Sequence, residues 1–532
     1  MTSFVDISFT RDISVARVAF SDSGADGVNM GRIGILKKLW LLRSSRSAGE
    51  RPLVRSILDS QPKKILELGL GELNRTPQLL SLASRVADGP IHYVGLDRFE
   101  ARCKLNPGII PEAMALIVNQ TTPKMLVGAN LSHYQMIRQF VDTLKKWGKA
   151  TYIGFNSIDF DEEFLRNTLF QTLEYPYLTS TNGNTRGDLL SLARAANFYY
   201  PDTLKNSINE KGNAVYKLDK MAPLNGIKHD AHQALGDCIA TLEIGKIILK
   251  KAPNVWKASL MTTDKTKALE LIKNELYFCT DEFYYGKSVA FCETFICEHP
   301  VYKWAKCFDL KHDPDIYLKM NTQELKEAMG KKPKFIRTIR HNKHPVIMNP
   351  NYANSLADYK ILGVEKLRER ANKIKNNKEF AEKVQMVLRE EVEEKEQTKS
   401  QEDIPVEESI YKKFTPTEDN KLMNNFHEIE WEKKFGTLDK FQDERLKYFG
   451  HKLLYREKPE LLPKELYNEI HKDVASKLLS KNSEKWNTIP KTYAEIDTLR
   501  VKFEKQGNKE NLAFLENINA YVEDLEKKYS SV

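Results

Sequence analysis

Two acids and one histidine stand at spacings that suit the hydrolysis of a phosphodiester bond. Asp161 opens a predicted helix, and the motif His-x-x-x-x-Asp places His232 before Asp237 near the start of another. On a helix this spacing is just over one turn, so the imidazole and the carboxylate stand side by side. Hydrolysis on two divalent metal ions needs several carboxylates and a base that deprotonates the attacking water. Asp161 and Asp237 suit metal binding, and His232 suits the base.

Each of these residues has a simpler explanation when it is taken alone. A histidine near a helix start is usually a capping or surface residue, and an acid in the first turn of a helix is common. The surrounding segments make the combination more specific. A predicted strand, 152–154, ends in a turn before Asp161, and the segment Arg186-Gly187-Asp188-Leu189-Leu190 lies between the two acids.

Composition and patterning indicate a protein of several domains. The chain has 532 residues, a formal net charge of +9 and six cysteines. The charge fits a polyanionic partner, because lysine and arginine neutralise phosphates. The cysteines show no zinc-finger spacing, and no apolar run is long enough to span a membrane. We expect no membrane association and a cytoplasmic protein.

Alternating strand and helix signals predict an α/β domain over 102–252, followed by a β-rich domain over 253–353 and a helical domain over 354–532. The basic segment 331–341 favours nucleic acid over a small substrate, although an edge strand protected by lysines has a similar pattern. Residues 1–47 have no clear periodicity and stay unassigned.

Residues 48–101 have a different pattern. A strand over 63–68, a glycine turn, a helix and a second strand that ends in Asp97 resemble the opening of a class I methyltransferase. That resemblance implies binding of S-adenosylmethionine, with Asp97 on its ribose. The fragment lacks the remaining strands of such a domain, so a complete methyltransferase is the weaker alternative.

The motif that begins at Gly154-Phe155-Asn156, the Arg186 segment and the stretch from Asn225 to Asp237 resemble exodeoxyribonuclease I, a histidine-type DEDD exonuclease. The resemblance extends from about Cys103 to the C-terminus. It includes Asn342-Lys343-His344-Pro345-Val346 in the middle domain and Leu454-Tyr455-Arg456 in the last one.

The resemblance implies a ribonuclease H-like exonuclease core, a small SH3-like domain and an α-helical C-terminal domain. It implies 3′→5′ hydrolysis of single-stranded DNA with Mg²⁺ or Mn²⁺ in DNA repair and recombination, by a monomer that binds a single-stranded DNA-binding protein. By matching, Asp161 and Asp237 bind metal and His232 is the general base. Four further residues are expected to contact the DNA: Lys217, Arg166, Tyr177 and Arg194.

One part of the family pattern is missing. The first motif of the family is Asp-x-Glu, and no Asp-x-Glu occurs in residues 1–110. The simplest interpretation is a fusion in which another fragment replaces the first strands. Fewer carboxylates should weaken metal binding, so a catalytically impaired single-stranded DNA-binding protein is the main alternative to an active nuclease. Glu67 or Glu72 is a possible replacement acid.

Overall fold

The computed structural model describes residues 13–22, 64–68, 92–229, 234–398, 404–482 and 484–532. Only the backbone is described for the residues before 101 and for 234, 235 and 398.

The first sheet has three strands, in the order β1-β3-β2. They are β1 (Ile13–Asp22), β2 (Lys64–Leu68) and β3 (His92–Ala101). β1 pairs antiparallel with β3 from Ile13 opposite Ala101 to Asp22 opposite His92, and β2 pairs parallel with β3. The strands β2 and β3 match the two strands predicted over 63–68 and 91–97. β1 lies in a segment for which the sequence predicted no element.

A second, parallel pair of strands carries the segments singled out from the sequence. β4 (Thr151–Gly154) pairs with β5 (Thr185–Asp188), and Gly154 lies opposite Asp188 at their carboxyl ends. Backbone atoms of β1 approach both β4 and the helix that carries Asp237. A short hairpin, β6 (Ser207–Ile208) and β7 (Ala214–Val215), follows.

Nine helices are described in the α/β part, and the third shows why they form. Its apolar residues recur every three or four positions, and Ile137, Phe140, Val141 and Leu144 are buried together. Ser132 and Gln135 form a capping box at its start. The nine are α1 (Ala113–Val118), α2 (Pro123–Val127), α3 (His133–Trp147), α4 (Asp161–Gln171), α5 (Leu189–Tyr199), α6 (Leu218–Leu224), α7 (Ala234–Lys251), α8 (Pro253–Met261) and α9 (Lys265–Asn274).

The middle part is a five-stranded antiparallel sheet in the order β11-β10-β9-β8-β12. Four helices accompany it, and the last two pack against β9. The strands are β8 (Phe278–Tyr284), β9 (Lys287–Glu298), β10 (Ala305–Asp309), β11 (Ile336–Ile339) and β12 (Ile347–Met348). The helices are α10 (Pro314–Leu318), α11 (Thr322–Gly330), α12 (Ala357–Lys375) and α13 (Lys378–Thr398).

Six helices complete the chain, and they share one hydrophobic core with the α/β part. Phe170 of α4 packs edge-on against Phe449, with ring centroids 5.3 Å apart. A 3₁₀ turn, Val406–Tyr411, precedes the helices. They are α14 (Thr417–Glu428), α15 (Trp431–Leu438), α16 (Glu444–Glu457), α17 (Lys464–Leu479), α18 (Ile489–Lys505) and α19 (Lys509–Tyr529). Within the described residues, none of the helices has the length and apolar character that crossing a bilayer requires.

Candidate active site

The loop between β4 and α4 is held by a buried carboxylate at the end of β5. Asp188 accepts the backbone N–H groups of Asn156 at 2.9 Å and Ile158 at 3.1 Å. It also caps α5 by accepting the N–H of Leu190 at 2.9 Å. Burial raises the pKa of Asp188, although the three backbone N–H groups oppose that rise. Asn156 has a φ of 62°, so the chain turns sharply where β4 ends.

This turn delivers Asp161 to the first position of α4. Asp161, Glu162 and Glu163 form an acidic first turn, which the positive end of the helix dipole favours. Phe160 at the N-cap provides no side-chain hydrogen bond to the helix. The sequence predicted that acids open this helix, and the model confirms it.

The other two acids of the first turn are engaged with protein groups. Glu162 is buried, accepts the hydroxyl of Thr179 at 2.7 Å and lies 3.2 Å from Arg186 Nη1. Glu163 accepts a hydrogen bond from Arg166 at 2.8 Å. The two acids that follow Asp161 in the turn are therefore held by protein groups.

Three consecutive residues of the middle part reach this region. The carbonyl of Asn342 accepts from Arg186 Nη2 at 3.3 Å, and Lys343 Nζ lies 2.8 Å from Asp159 Oδ1. His344 is buried, and its Nδ1 accepts the N–H of Asp188 at 2.9 Å. Its Nε2 therefore carries the proton and donates to the carbonyl of Ser259 at 2.9 Å.

Asp237 lies in the first turn of α7, and the sequence predicted that it lies near a helix start. Its hydrogen-bond partner is a histidine for which the sequence predicted no role. His229 Nε2 is 2.6 Å from Asp237 Oδ1, and an ionised carboxylate only accepts, so the ring donates. The His229 side chain is 2% exposed, whereas that of Asp237 is 46% exposed. His232, the predicted base, lies outside the described residues. The signal for His229 was its spacing of two turns before Asp237, which a loop also permits.

The described side chains do not by themselves complete a metal site. Among them, no three histidine, cysteine, aspartate or glutamate residues converge closely enough to hold an ion. Asp161 and Asp237 begin different helices, and β1 approaches both α7 and β4, the strand before α4.

The strand order bears on the replacement acid. Glu67 lies in β2, at the opposite edge of the three-stranded sheet from β1, and Glu72 lies outside the described residues. Two strand spacings of about 4.8 Å each separate β2 from β1. Asp22, which sequence reasoning did not single out, is the last residue of β1. A strand assigned to residues 13–22 would have drawn attention to it.

The residues expected to contact DNA fall into two groups. The guanidinium of Arg194 stacks on the ring of Phe283, 4.0 Å from its centroid, and Phe283 packs edge-on against Tyr216 next to the exposed Lys217. Burial lowers the pKa of Arg194.

The second group is Arg166 and Tyr177, whose guanidinium carbon and ring centroid are 5.6 Å apart. Arg166 is buried and hydrogen-bonded to Glu163 and to Tyr411. Arg166 is thus ion-paired within the protein, and its contact with DNA stays a prediction.

Comparison with known proteins bears on all three parts. Residues 404–525 match the model of the exonuclease I C-terminal domain. Over 172 residues, 32% of this chain, the sequence is 30% identical to exodeoxyribonuclease I of Buchnera aphidicola from Acyrthosiphon pisum (strain APS). That matched stretch spans 41% of the relative's length.

Solved structures match over more of the chain. Exonuclease I of E. coli in complex with a dT13 oligonucleotide superposes with a TM-score of 0.63 at 20% identity, over 81% of this chain and 92% of that one. An SSB/exonuclease I structure with the inhibitor CFAM gives 0.63 at 19% identity, over 82% and 92%. The three comparisons agree: this chain has the exonuclease I fold, and exodeoxyribonuclease I is the family that its sequence resembles.

Proposed function

We propose that the protein is an exonuclease that removes nucleotides from the 3′ end of single-stranded DNA with the help of divalent metal ions. One observation carries the proposal. On the exonuclease I fold, Asp161 stands in the first turn of the helix that follows β4, Asp237 stands in the first turn of α7, and β1 approaches both β4 and α7. Helix N-termini and converging acids are how such folds assemble sites for metal and phosphate.

The proposed roles follow from residue chemistry. Asp161 and Asp237 would bind the divalent ion, Mg²⁺ or Mn²⁺, and His232 would take the proton from the attacking water. Arg194 and Lys217 would contact phosphates, and Tyr177 offers a ring face to a base. Arg166 would reach DNA only if it left Glu163, so a role in shaping the site suits it equally well.

The test is degradation of a 5′-labelled single strand with Mg²⁺, with Mn²⁺ or with EDTA. We expect a ladder that shortens from the 3′ end with metal and stays intact with EDTA. Asp237→Asn should lower the rate by at least about 100-fold, because it removes a charge that metal binding needs. Asp315→Asn is the matched control, since Asp315 also stands in the first turn of a helix but pairs with Lys373 in the middle part.

The second candidate is a single-stranded DNA-binding protein that has lost cleavage. It is favoured by the lack of Asp-x-Glu in residues 1–110 and by the incomplete acid cluster among described side chains. Tight binding of the labelled strand, with no shortening in either metal, would establish this candidate and reject the nuclease.

The finer assignments belong to the same proposal. The middle sheet would be the SH3-like domain of the family, and the protein would act as a monomer that binds a single-stranded DNA-binding protein. The N-terminal 48–101 stretch would be a methyltransferase-like fragment fused to the core. Titration with S-adenosylmethionine tests the weakest alternative, a methyltransferase-like protein, and absence of binding would remove it.

A further inference from the structure

We infer that Lys343 and Tyr411 are positioning residues, which hold the first turn of α4, and with it Asp161, from outside the α/β part. The inference rests on the proposed function, because it assigns these two side chains to the same site. Lys343 belongs to the middle part, and Tyr411 ends the 3₁₀ turn before the C-terminal helices.

Lys343 spans Asp161 from one side to the other. Its ammonium lies 2.8 Å from Asp159, two residues before Asp161, and 3.6 Å from Glu163, two residues after it. It also donates to the carbonyl of Ile158 at 3.3 Å. One cation therefore fixes the end of the loop and the first turn together. The side chain is 28% exposed, so water screens these contacts only in part.

Tyr411, which precedes the C-terminal helices, contacts the same helix turn. Its hydroxyl donates to Glu163 and accepts from Arg166 Nη1, whose distance is 3.2 Å. Tyr411 is 58% exposed, but partial desolvation of its hydroxyl, followed by the hydrogen bond to Glu163, raises its pKa to about 12, so the hydroxyl stays protonated and keeps donating. Glu163 is thus shared by Lys343, Arg166 and Tyr411, which fixes its side chain.

The segment that carries Tyr411 is itself held firmly. Arg445 of α16 donates to the carbonyls of Ser409 and of Lys413, on either side of Tyr411. The Arg445 side chain is paired with Asp443 at 2.6 Å. A side chain on a restrained segment can hold the turn of α4 in place, whereas a side chain on a mobile segment would move together with that turn.

Geometry of this kind matters for a metal ligand because small displacements are costly. A carboxylate moved by about 1 Å can lower turnover by about 100-fold without changing substrate affinity. The predicted signature of Lys343 and Tyr411 is therefore a loss in kcat with KM preserved.

The experiment compares Lys343→Met, Tyr411→Phe and the conservative Lys343→Arg with the wild type. We expect kcat on single-stranded DNA to fall by about 10-fold in the first two variants, with KM and thermal midpoint within about twofold and a few degrees of wild type. Lys343→Arg should recover most of the loss. Lys326→Met is the matched control, because Lys326 also bridges two acids, Glu390 and Glu394, far along the chain from α4.

A second readout does not depend on cleavage. Amide hydrogen exchange of residues 158–164, measured without metal or DNA, should be faster in Lys343→Met and Tyr411→Phe than in wild type and unchanged in the control. A wild type without nuclease activity would reject the proposed function, and this readout would then decide the inference alone.

Three results would overturn the inference. In the first, Lys343→Met raises KM and weakens the salt dependence of binding, which marks a phosphate contact. In the second, the variants unfold at lower temperature but keep the kcat of the folded enzyme. In the third, exchange of residues 158–164 is unchanged.

Discussion

His229 and Asp237 form the closest histidine–carboxylate contact next to the proposed metal site. A carboxylate that is already held by a histidine N–H has a fixed orientation, and the hydrogen bond leaves its second oxygen for another partner. The exposure of Asp237 is consistent with that use. Under the proposed function, His229 would orient Asp237 and His232 would deprotonate the attacking water, so we expect the two histidines to have separable effects.

Substitution of each histidine tests this division. His232→Ala should lower the single-turnover rate by about 10²–10⁴-fold, the usual contribution of a general base, at unchanged metal affinity. His229→Ala should instead weaken metal binding by about 10–100-fold, because it removes a hydrogen bond that orients a ligand. Titration of the rate with Mn²⁺ separates the two. Saturating metal that restores His232→Ala but not His229→Ala would reverse the assignment.

The sequence predicted the acids Asp161 and Asp237, but it did not predict which residues contact the helix turns that carry them. Asp161 and Asp237 stand out because each begins a helix, which is a local property that a single sequence carries. The contacts of Glu163 with Lys343 and Tyr411 join residues some 180 and 248 positions apart, and no local spacing encodes them. The role of Asp188 in holding the loop was likewise not apparent, although its segment was singled out.

The order of the strands in the first sheet bears on which acid could replace the missing Asp-x-Glu motif. The sheet order puts β3 between β2, which carries Glu67, and β1, which approaches β4 and α7. The end of β1 is Asp22. β1 is therefore the strand of this sheet that lies beside β4 and α7, and β2 is separated from it by β3.

Paired substitutions compare the two acids. We expect Asp22→Asn to lower the rate of single-strand degradation by at least about 10-fold, because Asp22 belongs to the strand that approaches β4 and α7, and Glu67→Gln to leave it within about twofold. The rate is measured on the 5′-labelled strand across a range of Mn²⁺ concentrations. The reverse order, with Glu67→Gln as the damaging change, would return the replacement role to β2.

Some helices and strands could be predicted from the sequence and others could not, and the difference has a physical cause. The helices α4 and α7 and the strand β4 follow from apolar periodicity and from the turn residues near Gly154. β1 lacks a strict alternation of apolar and polar residues, and its pairing with β3 joins positions far apart in the chain. Strand formation depends on such distant partners more than helix formation does, so the N-terminal strand was missed.

His344 links three segments of the described chain that lie far apart in the sequence. Its ring bridges β5, through the N–H of Asp188, and the carbonyl of Ser259 in α8, while its backbone belongs to the middle part. The pKa of His344 is lowered to about 4, chiefly by burial and in small part by nearby Arg186, against the two backbone hydrogen bonds. The neutral ring is therefore the form that the folded protein accommodates.

This contact makes stability depend on pH. In the unfolded chain the histidine pKa is about 6.5, so between that pH and about 4 the unfolded state binds more protons at this site. The contribution is complete above pH 6.5 and is lost as the pH falls toward 4, by up to about 3 kcal/mol. In His344→Asn, which keeps an acceptor but cannot titrate, urea unfolding should show a shallower decline over this range. Equal slopes in both proteins would contradict the expectation.

One core contains residues from both ends of the described chain, since Ile110, Leu116 and Phe170 are buried with Phe449, Leu515 and Val522. During synthesis, Phe170 of α4 emerges nearly three hundred residues before Phe449, which packs against it. Contacts of such high sequence separation form late and slowly. A nascent chain would therefore leave Phe170 without these partners until its last helices leave the ribosome, and a product truncated before α14 would keep only the packing of α4 through Leu169 against the earlier helices.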